Sequence, residues 1–307
     1  MTFEKWQALG NDYLILERDK LALELTPALV RALCDRHCGV GADGVLLLSK
    51  PHDGADVADL RIFNPDGSEA ELSGNGAREA LLYLRRRGWT ERDSFSIHTA
   101  AGRITALITG EFECRVDMGR ARLESGDYPG GPPDGRGELR AAGERDERVW
   151  HFQHVSIGNP QCAIAVADLD ELERLDLPTV GPGVEGHAAF PNRTNVSWYA
   201  ELDPGPPARI RARIFERGVG ETRSSGTGAC GAAIAYLLAS GVHSTREPPR
   251  TGHVTVVLDG GELDVEIDAG LGVQLSGWAL PVFEGRLEDQ QLHALPRAAP
   301  ASDAAAG

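Results

Sequence analysis

Lysine is scarce in this chain: only three of its 31 basic residues are lysines, Lys5, Lys20 and Lys50. A pyridoxal-phosphate enzyme needs a Schiff-base lysine in its site, so the scarcity argues for chemistry without that cofactor. No block of Lys and Arg stands against a formal charge of −15 and a pI near 5.0. The summed field therefore repels phosphate backbones and anionic lipid, which makes nucleic acid and membrane surfaces poor partners. Nowhere do about eighteen apolar residues run together. The opening MTFEKWQALGNDYLILERDK has no basic region followed by an apolar one, so neither a spanning helix nor a targeting segment is expected. The five cysteines, Cys34, Cys38, Cys114, Cys162 and Cys230, are odd in number and scattered. A chain of this size needs no disulfide staples, and reduced thiols in a cytoplasmic protein are the expectation.

What is present is an ordinary globular composition: 307 residues, 41% hydrophobic and 25% charged, enough for two cores of about 150 residues each. The sequence also repeats itself. Arg61-Ile62-Phe63-Asn64 returns as Arg213-Ile214-Phe215-Glu216, and Ser73-Gly74-Asn75-Gly76-Ala77 returns as Ser225-Gly226-Thr227-Gly228-Ala229, both at an offset of 152 residues. Leu9-Gly10-Asn11 is echoed by Ile157-Gly158-Asn159, and Asp43-Gly44-Val45 loosely by Thr194-Asn195-Val196. An ordered set of matches at nearly constant offset predicts two halves of like fold, with a ligand cleft expected between them.

Each repeat closes on a glycine turn that runs into an Ala/Leu-rich stretch, 77–86 and 229–240. These read as helices whose N-termini lie at the glycines. The preceding stretches, 60–64 and 210–216, read as strands. The fold class expected is mixed α/β (α+β), with two pseudo-symmetric domains in which a sheet surrounds a helix of small residues. The segment 125–148 is dense in Gly, Pro and charge and reads as an exposed insertion. The strand 277–283 is expected to return to the first half's sheet, and the Ala/Pro-rich tail 296–307 to be disordered. The boundaries that follow are 1–122 with about 279–295 for the first domain and 123–278 for the second.

A helix N-terminus offers unpaired N–H groups and the positive end of the helix dipole, which favours an anion. Gly74, Gly76, Gly226 and Gly228 let backbone approach a ligand, and Asn75 and Thr227 add side-chain donors. The turn is neither G-x-G-x-x-G nor a P-loop, so a small carboxylate fits it better than a nucleotide. A symmetric pair of such turns has a chemical use, since inverting a stereocentre takes one acid/base group for each face of the carbon. Cys34-Asp35-Arg36-His37-Cys38 has no second ligand pair downstream, so buried or surface-neutral thiols are expected there and no metal. Cys162 and Cys230 also read as packing residues.

The segments Gly10-Asn11-Asp12, Gly39-Val40-Gly41-Ala42-Asp43-Gly44, Phe63-Asn64-Pro65-Asp66-Gly67-Ser68, Gly74-Asn75-Gly76-Ala77-Arg78, Gly158-Asn159-Pro160, Phe190-Pro191-Asn192-Arg193-Thr194-Asn195 and Glu216-Arg217-Gly218-Val219-Gly220-Glu221-Thr222 together resemble diaminopimelate epimerase. The resemblance covers nearly the whole chain. It implies a cofactor-independent epimerase of lysine biosynthesis that interconverts LL- and meso-diaminopimelate, in two domains each wrapping a sheet around a central helix, and a homodimer. It places acid/base roles on Ser73 and Ser225. Substrate contacts fall on Asn11, Asn64, Asn159, Asn195, Glu216 and Arg217, with backbone amides from Gly74, Asn75, Gly226 and Thr227. The asparagines can orient amino and carboxylate groups without titrating, Arg217 can fork onto a carboxylate, and Glu216 can accept from an ammonium. Taken singly, Asn11 and Asn159 also fit turn residues, and Glu216 with Arg217 a surface ion pair.

Three departures from that family stand out. Its catalytic cysteines are Ser73 and Ser225 here, and Gln161 follows Asn159-Pro160 where histidine is frequent. A helix N-terminus can draw a thiol down into a usable thiolate, whereas an alcohol is a weaker acid that needs a partner base. The serines are open to three readings: replacements in an otherwise normal epimerase, a natural branch that keeps the pocket with weak or altered activity, or a branch with other chemistry. Glu79 and Arg223-Ser224 beside the two turns also deviate, which favours the natural branch. An epimerase is the leading expectation. A same-fold lyase or dehydratase acting on an amino acid, and a non-catalytic amino-acid-binding homologue, stand behind it.

Overall fold

A computed structural model describes residues 1–141, 148–240 and 252–298. The chain divides into two compact units, Met1–Cys114 with Trp278–Gly307, and Arg115–Gly277.

The first unit holds β1 (Thr2–Ala8), β2 (Asn11–Glu17), β3 (Gly44–Ser49), β4 (Ala58–Phe63), the short β5 (Glu69–Ala70), β6 (Ser94–Thr99) and β7 (Gly102–Gly110). Its helices are α1 (Pro27–Cys34) and α2 (Gly74–Arg86). The second begins within β8 (Glu113–Arg120) and continues through β9 (Arg136–Arg140), β10 (Val149–Ser156) and β11 (Pro160–Ala165). After α3 (Leu169–Arg174) and α4 (Leu177–Glu185) come β12 (Asn195–Asp203), β13 (Ala208–Glu216), the short β14 (Gly220–Thr222) and α5 (Gly226–Ala239). It closes with β15 (Gly252–Leu258), β16 (Gly261–Ile267) and β17 (Gly272–Trp278). The chain then returns to the first unit as β18 (Leu280–Arg286) and α6 (Asp289–Ala298).

The internal repeat reappears as strand pairing. In the first unit β18–β1 and β1–β2 are antiparallel, β2–β3 parallel, β3–β4 antiparallel, β4–β6 parallel and β6–β7 antiparallel. In the second, β9–β10 and β10–β11 are antiparallel, β11–β12 parallel, β12–β13 antiparallel, β13–β15 parallel and β15–β16 antiparallel. The register agrees to the residue: Val45 pairs with Phe63 as Val196 pairs with Phe215. Gly10 and Gly158, both with positive φ (83° and 82°), turn the chain into the asparagine that opens the next segment of each half.

Each unit carries a buried helix. α2 packs on β1, β2, β3 and β7, and α5 on β10, β11, β12, β13, β15 and β16. Gly226–Ala235 of α5 is buried without interruption, so this helix has no polar stripe, the pattern of a helix enclosed on all sides. Its small side chains let surrounding strands approach. A Cβ on Gly231 would lie 2.9 Å from Cβ of Gln161 in β11.

Two expectations need correction. The segment 125–148 is not wholly an exposed insertion, because β9 pairs antiparallel with β10 and Leu139 is buried in a core cluster with Trp150, Phe152 and Phe190. Tyr128 packs on Phe152 and Phe190 with ring centroids 5.3 and 5.6 Å apart. The apolar area of these two side chains outweighs the polar composition around them; 142–147 lie outside the described residues. The tail begins later than expected, since Pro296–Ala298 complete α6, which packs on α1 through Leu292 and Leu295. The remainder, 299–307, lies outside the described residues. Among the described residues no helix is long and apolar enough to cross a membrane.

Helix propensity and packing make opposite predictions at Gly231. Propensity alone would have Gly231→Ala stabilise by about 1 kcal/mol, whereas forcing a methyl against the base of Gln161 costs roughly 1–3 kcal/mol. The contact is with the root of a side chain, which cannot swing aside, so a net loss of about 1 kcal/mol is expected in urea unfolding.

Candidate active site

Ser73 and Ser225 occupy the same structural position. Each has extended backbone (φ −131° and −145°) and caps its helix, accepting through Oγ from the N–H three residues on: Gly76 at 3.0 Å and Gly228 at 3.2 Å. Serine is among the preferred N-cap residues for this reason. The caps leave the opening turns, Gly74-Asn75 and Gly226-Thr227, at the positive end of each helix dipole.

The partners of the two hydroxyls differ. Tyr13 Oη donates to Ser73 Oγ at 3.2 Å. Ser225 Oγ donates to Glu216 Oε2 at 3.1 Å, and Thr222 Oγ1 donates to Oε1 of the same carboxylate at 2.7 Å. One serine thus faces a phenol and the other a carboxylate.

The amide side chains also pair by repeat. In the first unit Asn75 Nδ2 donates to Asn11 Oδ1 at 3.1 Å, and in the second Asn159 Nδ2 donates to Thr227 Oγ1 at 3.2 Å. Gln161 Nε2 supports Asn159 Oδ1 at 2.7 Å. Asn195 joins two segments, donating to Pro160 O at 3.2 Å and accepting from the backbone N–H of Arg217 at 2.9 Å. Among the described residues, the side chains of Asn64 and Arg217 bond outside the predicted set, to Ser68 Oγ at 2.9 Å and Asn192 O at 3.0 Å. Arg217 is exposed, which leaves its guanidinium accessible to a ligand carboxylate.

Several residues that position this set lay outside the sequence reading. Asp12 accepts from Lys5 Nζ at 2.6 Å and from Arg36 at 2.8 Å, and exchanges backbone-to-carboxylate bonds with Asp43 at 3.0 Å in both directions. Asp43 also receives Asn11 Nδ2 at 3.0 Å, so this ion network holds the asparagine in place. Burial pushes the Asp12 carboxyl up, but hydrogen bonds from Arg36 and Lys5 outweigh it and hold the group below its ordinary value. Arg78, fully buried in α2, donates to Asn75 Oδ1 at 2.5 Å and to Gly74 O at 3.3 Å. Glu185, also buried, accepts from Gly218 N at 3.1 Å and pairs with Arg193 at 2.5 Å, bracing the turn after Glu216. The Asp in Gly-Asn-Asp was visible as a letter; its ion partner Arg36, 24 residues away, was not.

No thiol replaces the missing sulfur. Cys34, Cys114, Cys162 and Cys230 are buried, and burial pushes Cys34 and Cys114 up to about 12 and raises Cys162 well above its ordinary value. Cys38 is exposed in the turn after α1. Among the described residues no group of His, Cys, Asp and Glu is placed to hold a metal. Glu79, wholly enclosed in α2, is pushed by burial well above its ordinary value.

The Asp12 network gives a signed pH dependence. A carboxyl lowered in the folded state contributes stability that is present above its unfolded value, about 3.9, and lost as pH falls through the folded one. Asp12→Asn is expected to cost about 2 kcal/mol in urea unfolding at pH 7, a difference that narrows as pH falls below about 3.9.

The pattern of the family described as Diaminopimelate epimerase matches residues 3–124 and 153–273. Diaminopimelate epimerase of Pelotomaculum thermopropionicum is 43% identical over 291 residues, covering 93% of this chain and 98% of its own length. That of Desulforudis audaxviator is 43% identical over 293 residues, covering 93% and 99%. Among solved structures, a phenazine biosynthesis protein of the PhzF family from Bacillus anthracis superposes with a TM-score of 0.66 at 17% identity, covering 94% of this chain and 99% of its own. A hydroxyproline epimerase from Agrobacterium vitis superposes with a TM-score of 0.62 at 15% identity, covering 93% and 91%. These two likenesses show a common fold. With the family pattern over both repeats and relatives at 43% identity across almost the whole chain, the protein belongs to the diaminopimelate epimerase family of amino acid isomerases.

Proposed function

We propose that this chain interconverts LL- and meso-diaminopimelate without a cofactor, using Ser225 with Glu216 on one face of the α-carbon and Ser73 on the other. The observation that carries the reading is the bond from Ser225 Oγ to Glu216 at 3.1 Å. It supplies what an alcohol lacks as an acid/base group, an adjacent acceptor for its proton.

In the forward direction Ser225 oxygen takes the α-hydrogen as a proton while its own proton passes to Glu216. The electron pair left on carbon delocalises into the α-carboxylate, and donors at the helix N-termini, including the amides of Gly74, Asn75, Gly226 and Thr227, stabilise the negative charge. Ser73 then delivers a proton to the opposite face. Asn11, Asn64, Asn159 and Asn195 orient the ammonium and carboxylate groups, and Arg217 forks onto the distal carboxylate. The substrate is a small amino acid with two carboxylates. The working form is a homodimer in the cytoplasm.

The decisive measurement is α-hydrogen exchange in D2O, followed by proton NMR with LL- and meso-diaminopimelate. Deuterium incorporation with interconversion is expected, and Glu216→Gln is expected to lower kcat by roughly 10²–10⁴-fold. Saturable binding with no exchange would instead favour a binding protein. Loss of a side-chain substituent after exchange would favour the lyase.

A further inference from the structure

The two halves hold unlike groups at matched positions, and the mismatch follows a rule. By the offsets of the repeat, Tyr13 stands where Gln161 stands in the other half, and Asn64 where Glu216 stands. Each half therefore has one titratable group and one neutral amide at these two positions, with the assignment exchanged. In each half it is the titratable group that touches the capping serine: Tyr13 to Ser73, and Glu216 to Ser225.

We propose that Tyr13 is the proton-relay partner of Ser73, doing for the first half through a phenol what Glu216 does for the second through a carboxylate. This rests on the epimerase reading and extends it. Ser73 Oγ accepts two hydrogen bonds, from Gly76 N–H at 3.0 Å and from Tyr13 O–H at 3.2 Å. Both lone pairs are thereby engaged, so the serine's own proton is directed outward as a donor. When the Ser73 O–H bond breaks and its proton forms the new C–H bond, the Tyr13 O–H bond breaks in turn and that proton passes to the serine oxygen. The charge comes to rest on a phenolate, the conjugate base of an acid whose ordinary pKa is near 10, and not on an alkoxide. In the reverse direction each transfer is undone. Over one turnover Glu216 has gained a proton and Tyr13 has lost one, and exchange with water restores both.

The local fold is built to hold that ring. Tyr13 pairs with Gly44 across the parallel β2–β3 ladder. A Cβ on Gly44 would lie 2.5 Å from the Tyr13 ring and 2.4 Å from Phe63 O, so the absence of a side chain there is what admits the phenol. The opposite orientation of the two serine bonds sorts the halves: Ser225 gives its proton to a carboxylate, while Ser73 receives one from a phenol.

The test is Tyr13→Phe in the full-length chain, with kcat and KM measured for interconversion and deuterium exchange followed from each isomer. Interconversion is expected to fall about 10²-fold in kcat with KM within about threefold, while the Ser225 face continues to exchange the α-hydrogen of one isomer without inversion. A thiol can carry the proton unaided, so in a Ser73→Cys background the loss caused by Tyr13→Phe should shrink at least tenfold. Undiminished interconversion in Tyr13→Phe, equal loss of exchange from both isomers, or the same loss in the Ser73→Cys background would overturn the relay and leave Tyr13 a packing residue. An unmodified protein that exchanges no α-hydrogen would overturn the epimerase reading first, and the relay with it.

Discussion

The hydrogen bond that a helix's third N–H gives to the serine before it fixes this molecule's chemistry to its fold. At Ser73 and Ser225 that one bond caps a buried helix and sets the direction of a side chain at the start of the helix dipole. Capping contributes about 1 kcal/mol to a helix, a modest sum in a large domain. Its larger consequence is positional. With Oγ tied to Gly76 or Gly228, the hydroxyl has little rotational freedom left, so the neighbouring strands decide what it meets. β2 brings Tyr13 to one, and the end of β13 brings Glu216 to the other.

On the proposed mechanism this arrangement makes sulfur replaceable at a cost in acidity. A thiolate of ordinary pKa near 8.5 needs little beyond the helix terminus to be populated. An alcohol at the same place needs a second group that takes up the charge. The buried thiols elsewhere cannot stand in, since burial raises Cys34, Cys114 and Cys162 away from neutrality. Charged groups near the first unit's glycine turn are engaged in positioning: Asp12 and Asp43 with Lys5 and Arg36 fix the Asn11 segment, and Arg78 is spent on Asn75 and Gly74.

Much of this was legible in the sequence because duplication leaves a trace that local propensity does not. The offset of 152 between the two Arg-Ile-Phe and Ser-Gly-x-Gly-Ala segments anticipated matched strands and helices, and the register of Val45 with Phe63 and Val196 with Phe215 is the three-dimensional form of that offset. The return of β18 to β1 was readable from its apolar run after the second repeat. What escaped were features whose cause lies far along the chain. Leu139 and Tyr128 sit in a stretch of glycine, proline and charge, and only the partners Phe152 and Phe190 show why it orders. The ion network about Asp12 depends on residues from three segments, and no spacing rule links Lys5, Arg36 and Asp43.

The same reasoning explains why the two halves could diverge where they did. A duplicated frame fixes backbone positions by pairing register and by glycines that admit close approach, as at Gly44 and Gly231. Those positions tolerate little. The side chains that meet the capped serines are under a weaker constraint, because a phenol from β2 or a carboxylate from β13 reaches the same oxygen within 3.2 Å. Inversion at carbon does not need two equal groups; it needs one that accepts a proton and one that supplies it, exchanging roles with direction. On the proposed mechanism, unlike partners on like serines meet that requirement, and the replacement of two cysteines that the family resemblance implies becomes, at the level of hydrogen bonds, a division of labour between the halves.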